Sequence, residues 1–125
     1  MPPLRALGRF VSLWFALSLV LAGLVMPVAS PVVGVLNAPI ANGVVSAGVA
    51  AVALVSVPEV RPEAVWTLGL LTLLGFGVGR WVAGRVGLAP ESVGVSVLAW
   101  VVAFGLAVAV LASRGIAWTD ADVDT

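Results

Sequence analysis

Very few residues in this chain could do chemistry. Inside its long apolar runs the side chains with the most to offer are Asn37, Asn42, Thr67 and Thr72. Amides and hydroxyls are neutral donors and acceptors. Lined up on one face, these four would make a polar path that could replace the water around a small solute. The break at Asn37-Ala38-Pro39 would add free backbone carbonyls beside it, as broken membrane helices do. A local reading competes with this one. Asn37 caps the helix that Pro39 opens, and Asn42 bonds a neighbouring helix. Capping alone accounts for the Asn–Pro spacing.

The other chemically distinct group is cationic. Arg80, Trp81 and Arg85 lie at the far end of an apolar run. Long arginine side chains reach out of hydrocarbon to the headgroups, and tryptophan rings settle at the same level. These three are expected at the interface, where the arginines could meet lipid phosphate.

What is missing narrows the function further. Histidine, cysteine and tyrosine do not occur, and all six basic residues are arginine. The apolar runs contain no Asp or Glu in their interiors. There is no thiolate, no lysine for a Schiff base and no histidine for haem. A serine nucleophile at Ser46 or Ser96 would have no base to activate it. The Gly75-x-Gly77-x-Gly79 spacing lacks the strand before it and the Lys-Ser/Thr after it that a phosphate loop needs. No catalytic, cofactor-binding or metal-ligating residue is expected, and the chain is not expected to be an enzyme. A net charge of zero gives no footprint for nucleic acid.

Such residues need elements to hold them. Of the 125 residues 62% are hydrophobic and 10% charged. Soluble domains carry about 25% charged residues, and a chain this apolar cannot cover itself with polar surface. The charges fall between, or near the ends of, four apolar stretches, at about 10–29, 38–57, 63–86 and 90–113. Each is long enough to cross roughly 30 Å of hydrocarbon. The fold is therefore expected to be all-α, an integral membrane bundle of four transmembrane helices with short loops. Residues 1–118 would form this one domain, and 119–125 an acidic, disordered tail.

The stretch Glu63 to Gly87 looks like the organising element. Pro62 and Glu63 suit a helix start, and Gly87 suits a left-handed stop. Gly75 and Gly79 would let another backbone approach closely. Similar stripes recur at Gly43, Ala47 and Ala51, and at Ala99, Ala103 and Ala107. SPVVGVL at 30–36 and VPEVRP at 57–62 read as connections, and Pro90-Glu91 as the start of the fourth helix. Phe10–Ala29 also fits a secretory signal, but it exceeds the usual apolar length, and Pro31 follows the natural cleavage point. A retained first helix is expected.

With four spans, Arg5, Arg9, Arg61 and Arg114 share one side, and Arg80 and Arg85 the other. That excess favours cytoplasmic termini in the cell membrane. The chain lacks the first-helix glutamate of small multidrug exporters and the Phe- and Thr/Ser-rich third helix of small fluoride channels. The expected role is a small accessory or structural protein that packs, in the lipid bilayer, against another membrane protein or against itself. The alternative is a homo-oligomeric transporter or channel built on the Asn37–Asn42 path.

Overall fold

The computed structural model describes residues 2–89 and 92–119, with side chains from Leu4 onward. It contains four helices: α1 (Pro2–Val33), α2 (Ala38–Ser56), α3 (Pro62–Arg85) and α4 (Val93–Ser113). Each is long and apolar enough to cross a membrane. The fold is an all-α four-helix bundle. Among the described residues the one β-type pairing is an isolated bridge between Val60 and Thr119.

The second and third helices lie within a residue of their expected limits. The first does not. It begins at Pro2 and runs through Pro27 and Pro31 to Val33, where an end near 29 was expected. Each proline removes one backbone donor from the helical ladder. Here the helix continues past both, and the Ser30 hydroxyl donates to the Met26 carbonyl at 2.7 Å. It stops instead at Gly34, whose φ of +93° is a conformation that glycine adopts without steric cost. The expected 30–36 connection shrinks to 34–37.

Asn37 is also corrected. Its side chain makes no capping bond to α2. Its amide donates back to the Val33 carbonyl at 2.9 Å, so it closes α1. The expected helix start at Pro90-Glu91 lies outside the described residues. The described part of α4 begins at Val93, with the Ser92 hydroxyl accepting the Val95 N–H at 3.1 Å.

The organising helix is α1, not α3. It packs against all three others, whereas among the described residues α2 touches α1 alone. Leu13, Ala16 and Val20 line its buried face and join Val65, Leu68, Ala107, Leu111 and Ala50 in the core. Small residues decide this arrangement. Gly69 of α3 sits directly on the Ala16 carbonyl of α1, and Gly23 of α1 lies under the Phe76 ring of α3. Side chains at either place would hold the backbones apart. The Gly75 and Gly79 stripe, read from sequence as the main packing surface, serves α4.

The α1–α2 hairpin has a displaced register. Asn42 meets Ser18 at 3.1 Å, and Trp14 meets Gly43 at 2.8 Å. Ser18 to Val33 is roughly 22 Å of straight helix, while Asn42 lies only about 6 Å inside α2.

Candidate functional site

The predicted packing residues fall into three groups. Gly75 and Gly79 of α3 face Ala103 and Ala99 of α4. A Cβ at Gly75 would lie 3.0 Å from the Ala103 Cβ, and one at Gly79 3.3 Å from the Ala99 Cβ. Ala107 continues this row and is buried. On α2 the expected stripe is rotated by one residue. The buried row is Ala38, Asn42, Ser46 and Ala50. Gly43 and Ala47 flank it, and Ala51 is exposed. Both rows consist mainly of small residues, so size does not choose between them. The row bearing Asn42 and Ser46 turns inward because lipid offers an amide or hydroxyl no partner.

The four residues of the predicted polar path do not converge. Asn37 is exposed in the turn, and Thr67 is exposed on α3, donating to the Glu63 carbonyl at 3.0 Å. Asn42 and Thr72 are buried, but they sit on α2 and α3, which do not touch. Asn42 uses its amide N–H on the Ser18 carbonyl, and its Oδ1 has no protein partner. The Ser46 and Thr72 hydroxyls are likewise fully buried without one. These are separate polar points in separate seams, with α1 between them.

Sequence reasoning missed the tryptophans. Trp14, Trp66 and Trp100 are each half-buried, and each ties α1 to a different neighbour. Trp14 on α1 donates to the Gly43 carbonyl of α2 at 2.8 Å. Trp66 on α3 donates to the Ser12 hydroxyl at 3.0 Å. Trp100 on α4 donates to the Val20 carbonyl at 2.7 Å. The only signal available beforehand was their position inside the apolar runs.

The interfacial group divides in two. Trp81 is exposed, and the Arg85 guanidinium lies over it at 5.4 Å. Arg80 is turned instead toward Phe76, also at 5.4 Å. Beside them, α3 and α4 enclose an open groove of about 600 Å³ walled by Leu74, Val78, Val82, Leu98, Val102 and Leu106. At the opposite end of the molecule, Arg61 pairs with Glu63 at 3.0 Å, and the Arg61 N–H donates to the Trp118 carbonyl at 2.8 Å. Among the described residues no three His, Cys, Asp or Glu side chains gather as a metal site would require.

No protein-family model, no curated protein and no solved structure matches this chain.

Proposed function

We infer that this small membrane protein is an accessory or structural subunit of the cell membrane, without catalytic activity of its own. It packs against a larger complex or against further copies of itself. The observation that carries this reading is the dispersal of its polar groups. Asn42 and Thr72 lie in seams that α1 separates, so the described residues offer a solute no continuous polar route. The outer surface, by contrast, is broad and apolar. Ile40, Val44, Val45, Val52 and Val55 of α2 all face outward. Lipid covers such a surface, and so does another helix.

Both termini are assigned to the cytoplasm. Arg5, Arg9, Arg61 and Arg114 stand at one end, and Arg80 and Arg85 at the other. A C-terminal reporter active only outside the cell would reverse that assignment.

The decisive experiment is affinity purification of the tagged protein from its own membranes in mild detergent, followed by native mass spectrometry. Recovery with a fixed partner, or as a homo-oligomer that conducts nothing, is the expected outcome. A discrete homo-oligomer that carries ion or solute flux would replace this reading with the channel one.

A further inference from the structure

We propose that the terminal end of the bundle holds a binding site for a phosphate group, and that its ligand is the headgroup of an anionic phospholipid. The site is a pocket of about 580 Å³ between the first three turns of α1 and the first two of α3, lined by Arg5, Gly8, Arg9, Ser12, Pro62, Glu63 and Trp66.

Its construction follows from helix geometry. Arg5, Gly8, Arg9 and Ser12 are spaced i, i+3, i+4 and i+7, so they share one face of α1. Gly8 sits between the two arginines, and a Cβ there would meet nothing within 4 Å, so the pocket floor is open. Arg9 is half-buried and anchored, one arm of its guanidinium donating to the Val60 carbonyl. A guanidinium carries five N–H donors in a planar fork matched to phosphate oxygens, so one bond fixes it and leaves others to give. Ser12 accepts the Trp66 indole N–H at 3.0 Å and keeps its own O–H to donate.

The local field has the same sign. Trp66 reaches Ser12, Gly69 meets Ala16, and Phe76 meets Gly23, so α1 and α3 run parallel. Both positive helix ends therefore point to this end of the bundle. The carboxylate in the pocket, Glu63, is already engaged by Arg61. Among the described residues neither Arg5 nor Arg9 is paired with a carboxylate.

Depth selects the lipid. The apolar run of α1 begins at Phe10, immediately after Arg9. The guanidinium thus lies at the hydrocarbon boundary, the level at which a phospholipid carries its phosphate. Dissolved inorganic phosphate shares the chemistry but would gain nothing from that position.

The test uses the full chain in phosphatidylcholine nanodiscs doped with phosphatidylglycerol. Native mass spectrometry counts the phosphatidylglycerol that remains bound after release. Four proteins are compared: the unaltered chain, Arg5→Gln, Gly8→Leu and Arg114→Gln. Arg5 and Gly8 are exposed, so both variants leave the core intact, which helicity and elution volume verify. Retention is expected to fall about tenfold in Arg5→Gln, the loss of one charge-assisted hydrogen bond to the headgroup. Gly8→Leu keeps every charge and fills the floor, and it is expected to fall at least as far. Arg114→Gln removes a charge from the same side outside the pocket and is expected to stay near the unaltered value.

Equal losses in Arg5→Gln and Arg114→Gln would mean diffuse surface attraction and overturn the site. So would undiminished retention in Gly8→Leu. Millimolar inorganic phosphate is the second arm, read by protection of Arg5 from an arginine-modifying dicarbonyl. Protection by phosphatidylglycerol but not by phosphate supports the lipid. Protection by phosphate alone overturns the lipid assignment.

Discussion

At the scale of single residues, the buried hydroxyls of Thr72 and Ser46 set the sharpest test. Each is fully enclosed and has no protein partner. An enclosed polar atom without a bond costs about 1–3 kcal/mol. Thr72→Val removes that atom at nearly constant shape, and it is expected to leave stability unchanged or raise it by about 1 kcal/mol. Ser46→Ala should behave the same way. Detergent-titrated unfolding followed by circular dichroism would check both, and a clear loss of stability would show that the hydroxyl is bonded. The tryptophans predict the opposite. Trp100→Phe deletes the bond to the Val20 carbonyl, and it is expected to cost about 0.6–2 kcal/mol, the range for hydrogen bonds between membrane helices. The same unfolding titration measures it. Residue roles were the least legible part of the sequence. Polarity marked Asn42 and Thr72 as buried-site candidates, but the seam each enters depends on which helices touch. An indole in an apolar run looks alike whether it meets lipid or a carbonyl.

At the scale of elements, glycine placement is the controlling variable. A Cβ at Gly69 would lie 2.9 Å from the Ala16 carbonyl oxygen and 2.9 Å from the Leu19 Cβ. The carbonyl is backbone and cannot swing aside. Gly69→Ala is therefore expected to destabilise the α1–α3 contact by about 1–3 kcal/mol, as overpacking does. Gly77, two turns later on the same helix, has nothing within 4 Å of its added Cβ. Gly77→Ala is expected to be neutral or to gain up to about 1 kcal/mol from helix propensity. Paired thermal melts would separate the two, and equal losses would contradict the packing described here. Helix number, type and most boundaries were readable because length and hydropathy determine them. The contact of Gly75 and Gly79 with α4 follows from small-residue spacing. The α2 stripe was misplaced by one residue because two adjacent rows were both small, and hydrogen bonding chose between them. The end of α1 was misplaced because the helix continues through Pro27 and Pro31 to Gly34.

At the scale of the whole molecule, α1 is the hub and α2 its outrigger. Elements with few partners open first. Amides of α2 are expected to exchange with deuterium before those facing the core in α1, and slower exchange in α2 would contradict its marginal place. The hub also bears on processing. Cleavage near Ser30 would remove Leu13, Ala16 and Val20 from the core. The mature chain is therefore expected to retain its first thirty residues, which intact mass measures directly. That a bundle would form was legible from the apolar runs. Which helix stands at its centre was not, because that depends on pairings between residues far apart in the chain. This distance has a consequence for how the protein is made. The helix that everything leans on leaves the ribosome before the other three, yet Trp100, which bonds Val20, is synthesised 80 residues later. Until α3 emerges, α1 has only α2 to shield it. The displaced hairpin, with Trp14 on Gly43 and Asn42 on Ser18, holds the nascent first half together while the second half is still being translated.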